Sequence, residues 1–349
     1  MPKVGNSTRI LALAAVAALL AVAAATTAGA TSTTTSGTTI SGAGSTFVSP
    51  LVSTWIPAVG GALGYEIQYS AIGSSGGINA ITGRTVDFGA SDAPMSPDQF
   101  SACNGCVQIP WALSATSVPY NVNGAPYGLK ITGGLLADIY LGTVKKWNDP
   151  KIKKLNPGVN LPSTDITPIY RSDASGTTYN FTEYLSKVSG AWRSRVGKGT
   201  QVSFPAGVGA RGSSGVAGSL SHTDGGITYV DVAYSLRSKF KLFKVRNRAG
   251  NFALPGIRGI TAAAATIKRV PANNEMSIVD PPKTQRSAYP ICTFTYTIVA
   301  LKSTNAPDLK RFIGWALTKG QTYGPKLLFV PIPKVVRVKA QSTLKRVHA

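Results

Sequence analysis

An α/β fold in two domains is the class that this sequence predicts, on two observations. Runs typical of strands alternate with helix-like runs along the chain, as in folds where helices cover the faces of a sheet. The chain has 349 residues, of which 43% are hydrophobic, and this is enough to fill the cores of two domains of ordinary size. We therefore expect two layered α/β domains.

The N-terminal 30 residues have the pattern of a secretory signal peptide. Lys3 and Arg9 precede the apolar run 10–25, and small residues at 28–30 offer a cleavage site. An uncleaved anchor is the alternative, although the run is shorter than the roughly 20 residues that a spanning helix needs. We interpret residues 1–30 as a signal peptide.

The predicted signal peptide determines the expected location. No cysteine lies near the cleavage site, so we see no lipid-attachment point there. Residues 31–39 are rich in Thr and Ser and predict a disordered spacer before the fold. We expect an exported protein, either periplasmic or at the cell surface or extracellular.

Three cysteines are present, and two of them are close in sequence. In an oxidising compartment Cys103 and Cys106 could close a small disulfide loop, which leaves Cys292 over. A metal site is the alternative, but a single CxxC without a second pair or a nearby His lacks the four ligands of structural zinc. His222 and His348 are the two histidines of the chain. We expect neither a metal nor a cofactor.

The chain is strongly basic. Its formal charge is +22, and +20 remains without Lys3 and Arg9 of the predicted signal peptide. Such a field attracts anions or an anionic surface, for example cell-wall polymers. The densest stretch, 237–248, alternates basic and apolar residues, which favours a half-buried strand with a basic solvent face over a nucleic-acid groove. We expect no nucleic-acid partner.

Three polar loops lead from predicted strands or turns into predicted helices. They lie at 42–47, at 72–81 after the strand-like run 65–70, and at 171–178 after the run 166–170. The first N–H groups of a helix lack backbone partners and its dipole places partial positive charge there, so such loops suit anions. An ordinary capped helix is the alternative at 171–178, and a tight turn is the alternative at 72–81.

The side chains of these loops are mostly hydrogen-bond donors. Thr46, Ser74, Ser175 and Thr177 supply hydroxyls, and Arg171 supplies a fork of N–H groups suited to a tetrahedral oxyanion. For Arg171 a surface salt bridge is the alternative. Taken together these residue types indicate an oxyanion site.

One acidic residue belongs with these donors. The run 86–94 reads as a short strand that ends in a polar turn, which leaves Asp92 at the carboxyl end of the strand. Ligands of open α/β sheets bind at that edge.

The rest of the chain continues the alternation. A glycine-rich loop at 204–216 leads into a helix, a buried strand is predicted at 227–230, and an Ala-rich helix at 261–267. A long strand at 289–301 is followed by an amphipathic helix at 310–317, which we expect to be the last helix of the chain.

Four motifs, in this order along the chain, resemble those of the PstS family, the secreted phosphate-binding subunit of the bacterial ABC phosphate importer. They are GAGSTF at 42–47, IGSSGG at 72–77, VDFGASDAP at 86–94 and RSDASGT at 171–177. The segments DIYLG through WND at 138–149 and GITYV at 226–230 support the resemblance. It extends from about residue 40 to about residue 330.

The resemblance implies a periplasmic-binding-protein-like (type II solute-binding) fold with phosphate clamped in a cleft between two domains. Domain I would comprise 40–113 and 290–345, and domain II 114–289. It further implies a monomer that is not an enzyme, that closes around phosphate by a hinge, and that delivers it to the permease and ATPase subunits of an importer.

The resemblance also implies eight phosphate contacts. Carried over position by position, they are Thr46, Phe47 (backbone N–H), Ser74, Asp92, Arg171, Ser175, Gly176 (backbone N–H) and Thr177. Asp173 would orient Arg171 through a bidentate pair. Ala174 departs from the family, which often has Gly there, and matters only if that position needs a positive φ.

Asp92 predicts which oxyanion is preferred. An ionised carboxylate can only accept a hydrogen bond, and phosphate keeps a proton near neutral pH whereas sulfate does not. Facing sulfate, Asp92 would be a second anion without a hydrogen bond, which is the repulsive element that specificity needs. The site should therefore discriminate against sulfate.

Two other functions remain open at this point. A phosphatase could use Ser175 as nucleophile, although neither His222 nor His348 stands in a recognisable motif beside it. A polyanion-binding wall protein would use the basic surface, with phosphate motifs that no longer form a site.

Overall fold

The computed structural model of the protein describes residues 38–349. The predicted signal peptide and nearly all of the predicted spacer lie outside the described residues. Thr39 corrects the end of that spacer, because it pairs with Glu66 and begins the first strand.

The strands alternate with helices, as the sequence predicts. In chain order they are β1 Thr39–Gly44, β2 Glu66–Ser70, β3 Phe88–Ser91, β4 Cys106–Ser117, β5 Pro119–Asn121, β6 Lys130–Ile131, β7 Thr167–Arg171, β8 Val208–Ala210, β9 Gly226–Thr228, β10 Val230–Asp231, β11 Lys241–Leu242, β12 Lys244–Arg246, β13 Phe252–Ala253 and β14 Cys292–Ala300.

The α-helices begin at typical start signals, such as the Pro in the first turn at Pro50 and the capping box of Ser96 and Gln99. They are α1 Ser49–Leu63, α2 Ser74–Thr82, α3 Pro97–Cys103, α4 Gly133–Tyr140, α5 Pro150–Leu155, α6 Gly176–Val188, α7 Gly190–Arg195, α8 Gly212–Ser221, α9 Val232–Arg237, α10 Ile257–Ala264, α11 Ala306–Ala316 and α12 Lys334–Lys345. Two 3₁₀ helices follow α11, at Lys319–Tyr323 and Pro325–Leu327.

The first sheet has six strands in the order β10-β4-β14-β3-β1-β2. Strands β1, β2 and β3 are parallel, whereas β14 runs antiparallel to both β3 and β4. Every residue of β4 is buried, which explains why its sequence is mostly apolar on both faces and does not alternate with charged residues. The parallel strands place their carboxyl ends, and the loops that follow, on one edge.

The second sheet has five strands in the order β11-β5-β9-β7-β8, with β7 parallel to both β8 and β9. A small third sheet joins β13, β12 and β6. Strand β10 comes from the stretch predicted as domain II but pairs with the end of β4 in the first sheet. The described residues 38–349 belong to one compact unit, and the domain boundaries at 113 and 289 stay a prediction.

The mixed α/β class is confirmed, and two predicted elements need correction. The helix predicted as the last one corresponds to α11, but α12 follows it. Its apolar stripe is narrow and its composition basic, so its sequence signal is weak; Val336, Ala340 and Leu344 are nevertheless buried, and α12 packs on α11 and β4. The basic stretch 237–248 forms two short strands, β11 and β12, in different sheets, with Leu242 and Val245 buried.

The described cysteines occupy two environments. Cys103 and Cys106 are joined in a disulfide at the end of α3, with Cα atoms 5.6 Å apart. Cys292 is a buried free thiol, and burial raises its pKa. Within residues 38–349 no helix has the length and apolar character needed to cross a membrane.

Candidate functional site

Four helices that follow strands of the two large sheets begin at one place in the molecule. The loops before α1 and α2 follow β1 and β2 of the first sheet, and the loops before α6 and α8 follow β7 and β8 of the second. The starts of α1, α2 and α6 were predicted to face an anion, and the structure adds the start of α8 as a fourth. Their partial positive charges converge on the site.

Direct hydrogen bonds join the loops of the two sheets. The Gly176 N–H donates to Ser74 Oγ at 3.0 Å, and the Ser75 N–H donates to the Ala174 carbonyl at 3.3 Å. Thr46 Oγ1 lies 2.8 Å from Ser213 Oγ. The two sides of the site are therefore in contact.

Glycines allow this close approach. A Cβ atom at Gly73, whose φ is +90°, would lie 2.8 Å from Asp173 Oδ2. A Cβ atom at Gly176 would lie 2.7 Å from the Asp92 Cβ. Any other residue at these positions would separate the two sides. Ala174 does not have a positive φ, so the departure from the family at that position causes no backbone strain.

Asp92 follows β3 and is 2% exposed. Its Oδ1 accepts a hydrogen bond from Ser45 Oγ at 2.6 Å, and its Oδ2 lies 3.4 Å from the Ser74 hydroxyl. Burial raises the pKa of Asp92 to about 7, although the Ser45 hydrogen bond, the charge of Arg171 and Ser74 act in the opposite direction. The carboxyl group therefore titrates near neutral pH.

Arg171 ends β7 and is 3% exposed. Its Nε donates to Asp173 Oδ1 at 2.6 Å and its Nη2 donates to Asp173 Oδ2, so the pair is bidentate, as predicted from the sequence. Burial would raise the pKa of Asp173, but the hydrogen bonds and charge of Arg171, with the Gly212 N–H, lower it. The guanidinium plane is thus held by a carboxylate that stays ionised.

The first turn of α6 supplies hydroxyls of two kinds. Ser175 is the N-cap, and its Oγ accepts from the N–H groups of Thr177 at 3.1 Å and Thr178 at 3.4 Å, which leaves its own proton free to donate. Thr177 is fully buried, and its Oγ1 has no hydrogen-bond partner among the described residues. A buried hydroxyl without a partner is costly, so Thr177 indicates where a ligand would bind.

Two backbone N–H groups predicted to face an anion have protein partners in this structure. The Phe47 N–H donates to Ser45 Oγ at 3.0 Å, and the Gly176 N–H donates to Ser74 Oγ at 3.0 Å. An anion would have to compete with, or share, these two hydroxyl acceptors.

Comparison with known proteins identifies the family. A family model described as a PBP superfamily domain matches residues 28–319. The phosphate-binding protein PstS of Xylella fastidiosa is 39% identical over 298 residues, which cover 84% of this chain and 81% of that protein. The chain belongs to the PstS family. The PstS of Pasteurella multocida is 36% identical over 311 residues, 88% of this chain and 90% of that protein.

A solved structure supports the fold of this PstS family member. A high-affinity periplasmic phosphate-binding protein with phosphate bound superposes with a TM-score of 0.69. It shares 21% sequence identity and covers 87% of this chain and 93% of its own. At that identity the likeness supports the two-domain solute-binding fold.

All six side chains predicted to contact phosphate lie together and are buried in this PstS family member. Their exposed fractions range from 0% for Thr177 to 6% for Thr46, and the set is Thr46, Ser74, Asp92, Arg171, Ser175 and Thr177. Because solvent barely reaches them, a ligand must enter through an opening of the contacts between the two sides.

Three buried polar residues at or near the site were not predicted. Ser45 donates to Asp92, and Ser213 contacts both Thr46 and Arg171. Asp231, the N-cap of α9, has a raised pKa from burial and from the nearby charge of Asp92. Ser45 stands inside the 42–47 motif and Ser213 inside the glycine-rich loop, so a closer look at those loops could have found two of the three.

Within residues 38–349, no group of three or more His, Cys, Asp or Glu is arranged to hold an ion. The site combines hydrogen-bond donors with the Asp92 carboxyl group, while the Asp173 carboxylate is occupied by Arg171 and the Gly212 N–H.

Proposed function

We propose that this protein binds inorganic phosphate between its two sheets and delivers it to the permease and ATPase subunits of an ABC phosphate importer. The observation that carries this proposal is the pairing of Asp92 with a set of donors. Thr177, Arg171 and Ser175 offer O–H or N–H donors, while Asp92, whose carboxyl group is not taken up by Arg171, can accept a hydrogen bond from the protonated oxygen of phosphate.

The set of phosphate contacts is part of the proposal. Besides the six buried side chains, it includes the backbone N–H groups of Phe47 and Gly176. Asp173 supports them by orienting Arg171. Binding takes place by hinge closure between domain I (40–113 and 290–345) and domain II (114–289), with the cross-sheet contacts re-formed around the anion.

Binding and not hydrolysis is the proposed activity. The Ser175 hydroxyl accepts from two helix N–H groups, and in the described structure neither His222 nor His348 is hydrogen-bonded to it. A nucleophilic serine needs a base within hydrogen-bond reach. The relatives compared here are named as phosphate-binding proteins.

The mature protein is proposed to act outside the cytoplasm as a monomer, after removal of residues 1–30. A disulfide between Cys103 and Cys106 fits an oxidising compartment.

The basic surface of the mature protein would also hold it near anionic cell-wall polymers. The last 48 residues contain ten Lys and Arg and one acidic residue, Asp308, and Lys334 and Lys345 of α12 are exposed.

Calorimetric titration of the mature protein with phosphate, then with sulfate, at low and moderate salt tests the proposal. We expect one-to-one phosphate binding that changes little with salt, because the site is desolvated, and much weaker sulfate binding. Absent binding, or binding whose logarithm falls steeply with the logarithm of salt concentration, would instead favour a polyanion-binding surface.

A further inference from the structure

Ser213 occupies a place in the site that the eight predicted contacts do not include. It lies in the first turn of α8, is fully buried, and touches residues from both sheets. Its Oγ is 2.8 Å from Thr46 Oγ1, which belongs to the loop before α1. The same Oγ accepts from Arg171 Nη1 at 3.4 Å.

One of these hydrogen bonds has a fixed direction: a guanidinium can only donate, so the Ser213 hydroxyl accepts from Arg171. The bond between Ser213 and Thr46 can run either way, since each hydroxyl has one proton and two lone pairs. Once Thr46 donates its proton to an anion, the Ser213 proton is the one that goes to Thr46 Oγ1.

Thr46 is the end of this chain of hydrogen bonds. Its Oγ1 accepts from the Ser213 N–H at 3.3 Å and, in the anion-bound arrangement, from the Ser213 hydroxyl as well, which occupies both of its lone pairs. Its own proton is then not used by Ser213. That proton is left for an anion in the site, and donors in such a chain strengthen one another.

The contact also depends on closure. The loop before α8 is fixed to the second sheet's side, because the Gly212 N–H donates to Asp173 Oδ1 at 2.9 Å and α8 packs on β7 and β9. Thr46 is carried by the first sheet. The bonds between Ser213 and Thr46 therefore form only when the two sides meet.

We propose that Ser213 is a positioning residue for phosphate: it orients the Thr46 hydroxyl toward the anion and latches the closed site. This inference rests on the proposed phosphate-binding function. It predicts that Ser213 acts on release of phosphate more than on capture, since the latch forms after the anion has entered.

The test is stopped-flow and calorimetric measurement of phosphate binding by Ser213→Ala. We expect the affinity to fall about tenfold, mainly through a faster dissociation rate, with the association rate within about twofold of wild type. The control is Ser214→Ala, the exposed neighbour in the same turn, which should bind as wild type does.

A double-mutant cycle separates positioning from a general loss of structure. Because Ser213 acts through Thr46, the double variant Thr46→Val with Ser213→Ala should bind no more than about twofold more weakly than Thr46→Val alone. Losses that multiply, or a Ser213→Ala variant with wild-type dissociation, would overturn the latch while leaving phosphate binding intact.

Two further outcomes are distinguishable. If Ser213→Ala does not fold, Ser213→Cys, which has a similar volume and a weak donor, must show the same faster dissociation, and wild-type dissociation would refute the inference. A wild-type protein that does not bind phosphate overturns the proposed function and this inference together.

Discussion

Asp92 and Asp173 lie on opposite sides of the same site, and the same arginine acts on both. Asp173 forms a bidentate pair with Arg171, and its pKa is lowered. Asp92 has serine hydroxyls as its closest partners, and burial raises its pKa to about 7. The two groups differ both in burial and in partner: Asp92 is the more deeply buried and has no hydrogen bond to Arg171, whereas Asp173 is part-buried and pairs with Arg171 directly.

The difference assigns separate tasks to the two carboxyl groups. Asp173 uses its lone pairs on Arg171 and Gly212, so it holds the donor side in place. Asp92 keeps acceptor capacity and can accept a hydrogen bond from a protonated ligand. Three variants, one of them measured in two ways, would break or sharpen this comparison.

Arg171→Ala should have the largest effect on phosphate affinity. It removes a charged donor and leaves Asp173 without its partner, and such truncations cost about 2–5 kcal/mol, up to several thousand-fold in affinity. Titration calorimetry of Arg171→Ala and of Ser175→Ala measures whether loss of the charged side chain costs more phosphate affinity than loss of one hydroxyl. The exposed Arg258→Ala is the control. Equal losses for Arg171 and Ser175 would mean that the helix N-termini dominate binding.

Asp92→Asn should reduce the preference for phosphate over sulfate by a factor on the order of 10³, because an amide can donate to either anion. The measured quantity is the ratio of the two dissociation constants. Asp98→Asn, in an exposed position of α3, provides the matched control. A ratio like that of the wild type would refute the role of Asp92.

The stability of the ligand-free protein should respond to the same substitution. The pKa of Asp92 is about 7 when folded and 3.8 ordinarily, so the folded protein binds a proton between these values that the unfolded chain does not. Stability therefore decreases as pH rises through this window.

At about pH 8 Asp92→Asn should stabilise the protein by about 2–4 kcal/mol, and the gain should shrink as pH falls toward about 4. Urea denaturation across this pH range, without phosphate, measures it. An equal gain in stability at about pH 4 and at about pH 8 would show that Asp92 does not titrate as described.

Asp173→Asn should have the smallest effect. Losing the carboxylate loosens Arg171, but it also removes a negative charge near the anion, and these changes oppose each other. We expect phosphate affinity to change by less than about tenfold, measured by calorimetry. A loss as large as that of Arg171→Ala would mean that orientation of the guanidinium, more than its charge, determines affinity.

The local features of the site could be predicted from the sequence. Hydroxyl residues at helix starts, as at Ser175, and an acid after a buried strand, as at Asp92, are short-range patterns that backbone chemistry dictates. Ser213 carried no comparable signal, since its role depends on Thr46, 167 positions away in the chain. Helix α12 was missed because its burial against α11 and β4 outweighs a weak local pattern.

The sequence by itself determined the alternation of strands and helices, the loops that supply donors, and the presence of one acidic acceptor among them. Tertiary structure alone decided the electrostatic states of the two carboxyl groups and the pairing of Thr46 with Ser213. The physical reason is that pKa values and hydroxyl orientation depend on burial and on partners that are distant in sequence, as Asp92 and Ser45 are.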